Sequence, residues 1–178
     1  GMLEFSSKIN AKNLDECIDY ILSTKDSQQM CEKLASHLTV GETYFYRHSN
    51  QIDSIKRLIL TNLFLERKRD SGEKRLRFWS SSCCTGEEPY TIAMMLNEIP
   101  YNFKDWDIRI TGSDLNPIYL AKAKESKYGT WSFRGGGKSI IKKYFKTTPG
   151  KKYLLDPEIK SKVTFIYHNL VTEKYPSM

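Results

Sequence analysis

The chain lacks several features that would have assigned it quickly. No apolar run among its 178 residues approaches the roughly 18 needed to span a bilayer. The start, Gly1-Met2-Leu3-Glu4-Phe5, has no basic stretch leading into a long apolar one and does not read as a secretory signal. A cytoplasmic protein without membrane insertion is expected. There are four cysteines and three histidines, and no C-x-x-C. A zinc site or a disulfide framework is therefore not expected, and Cys17, Cys31, Cys83 and Cys84 read as reduced thiols. No G-x-G-x-x-G occurs. The net charge of +7 permits an acidic partner, but its two basic clusters, Lys56–Arg77 and Lys138–Lys152, read as solvated faces. Neither forms a basic and aromatic motif of the kind that binds nucleic acid, and no N-P-P-Y-like run is present, so a nucleic-acid partner is not expected.

What is present has a clear period. Leu14, Ile18, Ile21 and Leu22 recur at helical spacing, and Leu34 and Leu38 continue after a polar break, so residues 13–38 are predicted helical. Residues 49–66 form a second helical stretch, with Ile52, Ile55, Leu58, Ile59, Leu63 and Phe64 on one stripe. Thr39–His48 between them has no clean period, and Arg67–Lys74 reads as a charged loop. The pattern then alternates. Leu76–Ser81, Asp107–Gly112 and Val163–Tyr167 read as strands, and Glu87–Ile99 and Asn116–Lys124 as helices. Asn116 is a good N-cap and Pro117 suits the first helical position. Ser126–Lys162 reads as a long Gly- and Lys-rich connection with one short helix near Ile140–Phe145. Such alternation predicts an α/β fold: a Rossmann-like sheet of about three parallel strands, preceded by a short helical region.

Open parallel sheets bind ligands at the carboxyl ends of their strands. Here those ends are Ser80–Gly86, Ser113-Asp114 and His168-Asn169-Leu170. The first loop is built of small residues and leads into a helix that begins with Glu87 and Glu88. Two acids would repel a pyrophosphate but suit a ligand with a cationic end. Asp114 stands where an acid accepts hydrogen bonds from ribose hydroxyls. A nucleoside with a cationic tail and no phosphates describes S-adenosylmethionine. Plainer readings stand beside these. Glu87 and Glu88 can simply complement the helix dipole. Thr85 and Glu88 fit a capping box, although that would push Pro89 to the fourth helical position. Asp114 can be only a cap, and Cys83 and Cys84 only packing residues.

Four segments in order carry a resemblance: Thr43-Tyr44-Phe45-Tyr46-Arg47, Thr85-Gly86-Glu87-Glu88-Pro89-Tyr90, Thr111-Gly112-Ser113-Asp114-Leu115 and Phe165-Ile166-Tyr167-His168-Asn169-Leu170. Together they resemble the CheR-type chemotaxis receptor methyltransferases. The resemblance implies a class I methyltransferase fold, S-adenosylmethionine as cofactor and S-adenosylhomocysteine as product. The activity implied is methyl-ester formation on glutamate side chains of an acceptor protein such as a chemoreceptor. By the same resemblance, Thr43 and Arg47 hold the methionine carboxylate, Glu88 accepts from the methionine amino group, Asp114 binds the ribose, and Asn169 and Leu170 contact the adenine. Arg47 is also the residue expected beside the transferring methyl. Residues 1–48 would be a helical region ending in a cofactor-covering segment, and residues 49–178 a partial cofactor-binding α/β domain.

The chain also departs from that family. Gly41 stands where the family often has Asn, which removes one expected cofactor contact. The basic receptor-docking helix and the strands after the third are not in the sequence. Three strands alone would leave a central strand as an open edge. That suggests a truncated chain, a degenerate non-catalytic module, or a homo-oligomer that covers the edge.

Overall fold

The computed structural model of the chain describes residues 2–66, 74–135 and 137–176, without the side chains of Met2, Glu4, Gln28 and residues 63–66. The expected loop Arg67–Lys74, apart from Lys74, and the side chains of Leu63 and Phe64 lie outside the described residues. Four helices come first: α1 (Met2–Lys8), α2 (Leu14–Ser23), α3 (Ser27–Leu38) and α4 (Ser49–Glu66). β1 (Arg75–Ser81), α5 (Glu87–Glu98), β2 (Asp107–Asp114) and α6 (Pro117–Glu125) follow. The rest comprises β3 (Lys127–Tyr128), a 3-10 turn at Thr130–Phe133, α7 (Lys138–Tyr144), β4 (Phe145–Thr148), β5 (Lys152–Leu155), α8 (Pro157–Lys160) and β6 (Val163–Tyr167). None of the described helices is long and apolar enough to cross a membrane.

β1, β2 and β6 form a parallel sheet in the order β1-β2-β6. The three predicted strands are therefore present and adjacent, and β1 pairs on one edge only among the described residues. The register sets Ser81 beside Ser113, and Asp114 beside Tyr167, so the three carboxyl ends come out together. α5 packs on all three strands, and α6 on β2 and β6. α6 starts as its sequence predicts: the Asn116 side chain accepts from the amides of Ile118 and Tyr119, with Pro117 next.

Two regions differ from the sequence reading. The stretch Ser126–Lys162 does contain a short helix, α7, but it also holds an antiparallel sheet in the order β3-β5-β4. Its strands have two to four residues, too short to display an alternating pattern. The second difference is at the N-terminus. α2 buries Cys17 and Ile21 against Phe5 of α1, while Leu14, Ile18 and Leu22 are exposed. α2 is apolar on both sides, so its period could not say which side faces inward. α1 was not anticipated.

A single apolar cluster joins the parallel sheet to the small antiparallel one. It runs from Ile52 and Ile59 of α4 through Tyr90, Ala93, Met94 and Met95 of α5 to Tyr128, Phe133, Tyr144 and Leu155. Phe45, from the stretch without a period, sits within it. The basic cluster Lys56–Arg77 is not wholly a solvated face either: the Arg77 side chain is largely buried and donates to the Asp107 carboxylate, which holds the carboxyl of Asp107 below its ordinary range.

Candidate cofactor site

The β1–α5 loop is a tight construction. Ser82, Cys84 and Gly86 all have positive φ, at 54°, 51° and 90°. For Ser82 and Cys84 this costs roughly 1–2 kcal/mol each. The surroundings hold the loop in place. The Cys83 amide donates to the Ser113 carbonyl at 2.8 Å, and the Cys84 amide to Asp114 Oδ2 at 2.8 Å. Gly86 needs its missing Cβ twice, for its φ and because an added Cβ would lie 2.9 Å from Ala123 Cβ and 3.0 Å from the Phe165 ring. Burial pushes the thiols of both Cys83 and Cys84 up, so neither is a ready thiolate.

Gly86 is the N-cap of α5 and no side chain caps that end, so the Thr85–Glu88 capping box does not form. The two acids part company instead. Glu88 accepts from Ser80 Oγ at 2.7 Å and faces a cavity of about 270 Å³. Glu87 turns the other way and is only 2% exposed. It accepts from Thr85 Oγ1 at 2.6 Å and from Ser132 Oγ at 2.9 Å. Burial raises the carboxyl of Glu87 above its ordinary range, against the two hydroxyls that lower it. The sign of its effect on stability follows. The folded chain holds this proton more tightly than the unfolded chain. Glu87 therefore contributes stability that is fully present below the ordinary carboxylate range and lost as pH rises through the raised folded value. Denaturant midpoints of Glu87→Gln and of the unaltered chain should converge at acid pH, and the difference should shift in favour of Gln as pH rises through that window. A difference that does not vary with pH would refute the raised value.

The cavity lies between the β1–α5 loop, α4 and the segment 42–48. Thr43 and Arg47 come from that segment and share the cavity wall with Trp79, Cys84 and Glu88. The segment is tied down at both ends of its apolar plug: the Phe45 amide donates to the Ser132 carbonyl at 2.9 Å, and the Tyr46 amide to Thr91 Oγ1 at 3.2 Å. Arg47 is exposed, and its Nη1 donates to the Glu42 carbonyl. Gly41 matches a close approach, since a Cβ there would lie 2.6 Å from Tyr119 Cζ and 2.9 Å from Cys84 Sγ.

Three of the six candidate residues, Thr43, Arg47 and Glu88, meet at one cavity. Asp114, Asn169 and Leu170 do not line it. Asp114 is 8% exposed and accepts from the amides of Cys84 and Asn116, both at 2.8 Å, so it knits the loops after β1 and β2 together. Asn169 accepts from the Val171 amide at 3.0 Å, and Leu170 is exposed. Both follow His168, whose amide donates to the Asp114 carbonyl at 3.2 Å, so all three stand at the same end of the sheet. Sequence reasoning missed two supporting residues. Ser80 orients Glu88. Asn116, beyond its capping role, donates from Nδ2 to the Ser36 carbonyl at 3.0 Å and to Thr39 Oγ1 at 2.9 Å, binding α3 to the site.

Arg47 and Glu88 set opposite charges on one wall, which suits a ligand end carrying both a carboxylate and an ammonium group. Residues 41–178 match the family model described as "CheR methyltransferase, SAM binding domain". The chain belongs to the CheR methyltransferase family. The cofactor of that domain is S-adenosylmethionine, and its zwitterionic amino-acid end fits the charges found. Among its relatives, the chemotaxis protein methyltransferase of Borreliella burgdorferi is 32% identical over 166 residues, covering 93% of this chain and 58% of that protein. Chemotaxis protein methyltransferase 2 of Vibrio cholerae is 33% identical over 144 residues, 81% of this chain and 49% of its own length. Chemotaxis protein methyltransferase 1 of Pseudomonas aeruginosa is 27% identical over 171 residues, 94% and 60% respectively. The chain thus spans about half to three-fifths of these CheR relatives.

Proposed function

We propose that this chain is the cofactor-binding part of a cytoplasmic methyltransferase that esterifies glutamate side chains of an acceptor protein, a chemoreceptor or a protein like one. The observation that carries the reading is the pair Arg47 and Glu88 on one cavity wall at the carboxyl ends of a parallel sheet. In this reading Thr43 and Arg47 hold the methionine carboxylate and Glu88 the amino group. Asp114 serves the ribose, and Asn169 and Leu170 the adenine. Residues 1–48 form a helical region ending in the segment that covers the cofactor, and residues 49–178 the cofactor-binding α/β portion.

When bound, S-adenosylmethionine supplies a methyl group on a sulfonium, and a carboxylate acceptor, already ionised at neutral pH, needs no general base. The chain's own work is to bind, orient and exclude water. Arg47 lies nearest that task because it is the arginine on the described cavity wall. Neither buried thiol is needed as a nucleophile.

Calorimetric titration with S-adenosylhomocysteine tests the reading. One-to-one binding is expected, with transfer of radiolabelled methyl to chemoreceptor glutamates as base-labile ester. No heat of binding at high protein concentration would overturn the cofactor assignment, and binding without ester formation would overturn the acceptor assignment.

A further inference from the structure

Residues 39–44 run from the end of α3 to Phe45 without belonging to any helix or strand. An extended stretch with no ladder of hydrogen bonds should open easily. Yet this stretch presents Thr43 to the cavity, and its Glu42 carbonyl takes up Arg47 Nη1. Something outside it must hold it.

Arg134 does this. It closes the 3-10 turn at Thr130–Phe133, and its side chain is only 20% exposed. Nη1 donates to the Thr43 carbonyl at 3.2 Å and to the Trp131 carbonyl at 2.9 Å. Nη2 reaches Glu42 Oε1 at 3.3 Å. The guanidinium carbon lies 4.1 Å from the centre of the Tyr44 ring and 4.6 Å from that of Trp131. One side chain therefore engages three consecutive residues, Glu42, Thr43 and Tyr44. It joins these hydrogen bonds to close contacts with two aromatic rings. Gly135 lets the Tyr44 ring close over the site, since a Cβ there would lie 2.9 Å from Tyr44 Cε2. Arg134 itself does not line the cavity.

We propose that Arg134 is a positioning residue of the cofactor site: the Trp131–Arg134–Tyr44 stack clamps residues 42–44 so that Thr43 and Arg47 are already in place before the cofactor arrives. This rests on the assignment of Thr43 and Arg47 to the cofactor's carboxylate end. Preorganisation of this kind saves the ordering cost at the moment of binding. The requirement is for arginine. A lysine offers one point charge without a planar fork and cannot make these hydrogen bonds and aromatic contacts together.

The test uses the 178-residue chain with Arg134→Ala and Arg134→Lys. Amide hydrogen exchange, without cofactor, is read on peptides covering residues 39–48 and α5. Arg134→Ala should speed exchange in 39–48 about tenfold, as expected for loss of hydrogen bonds to a charged group, and leave α5 unchanged. Arg134→Lys should recover little of the protection, and millimolar methylguanidinium should restore part of it to Arg134→Ala. Affinity for S-adenosylhomocysteine should fall about tenfold in parallel, whereas Glu88→Ala should weaken binding without loosening 39–48. Equal exchange in Arg134→Ala and the unaltered chain overturns the proposal, and so does loosening of α5 to the same degree, which would make the effect general instability. Unchanged affinity in a loosened variant overturns it as well. If the unaltered chain does not bind S-adenosylhomocysteine, the functional reading fails on its own and the exchange measurement alone decides the clamp.

Discussion

Arg47→Ala should weaken S-adenosylhomocysteine binding by roughly 10- to 150-fold, the 1.5–3 kcal/mol of a hydrogen bond to a charged group, with the fold unaffected. The side chain is exposed, and among the described residues its one hydrogen bond is donated to the neighbouring Glu42 carbonyl. Removing it therefore leaves no buried partner stranded and creates no cavity, the two usual causes of a large stability loss. Its charge faces a cavity whose wall carries two acids, Glu42 and Glu88, engaged by Arg134 and Ser80 respectively. A cation so placed is available to a ligand carboxylate. Arg47→Lys should recover only part of the affinity, because a lysine cannot bind both carboxylate oxygens through a planar fork. Calorimetry on the three proteins, with urea midpoints as the control, checks this. Equal affinity in Arg47→Ala would remove Arg47 from the site. A fall in midpoint matching the fall in affinity would make it structural instead.

What the sequence revealed, and what it concealed, follows from the length over which each signal is written. β1, α5, β2, α6 and β6 were legible because each carries its period or its cap over five or more residues, as with Asn116 and Pro117 at the start of α6. The antiparallel sheet was not legible. Tyr128, Phe145, Tyr153 and Leu155 stand in segments of two to four residues among lysines, and only their packing around Phe45 and Phe133 reveals a core. Glu87 and Glu88 illustrate the same limit at the site. As neighbours on a helix they point about 100° apart, so one can face the cavity while the other is buried against Ser132. Nothing in two adjacent letters says which does which. The stretch Thr39–His48 had no period because it is held by residues far away in sequence: Ser132, Thr91, Arg134 and Asn116.

Phe45 concentrates that dependence, and Phe45→Ala should cost about 3–5 kcal/mol of unfolding free energy, the range for truncating a buried aromatic residue. The ring is 1% exposed. It stacks on Phe133 at 5.1 Å between centres and meets Tyr128 and Phe145 edge-on at 4.9 and 5.2 Å. These rings come from β3, the 3-10 turn and β4, so the vacated space could not be filled by movement of one flexible side chain. Aromatic pairs of this geometry contribute about 0.5–1.5 kcal/mol beyond area burial, which favours the upper part of the range. Leu22→Ala provides the contrast. Leu22 recurs at helical spacing with Leu14, Ile18 and Ile21, but it is 72% exposed, and its removal should stay within about 0.5 kcal/mol. Urea unfolding measures both, with an unchanged slope showing that the native state keeps its compactness. A loss below about 1 kcal/mol for Phe45→Ala, against the range for buried aromatics, would mean that the segment floats on the core instead of plugging it. Because Phe45 lies two residues from both Thr43 and Arg47, the same variant should also lose cofactor affinity at temperatures where it is still folded. The aromatic plug and the two residues proposed to hold the cofactor's carboxylate are carried on one short piece of chain, and packing at its centre sets where its ends can reach.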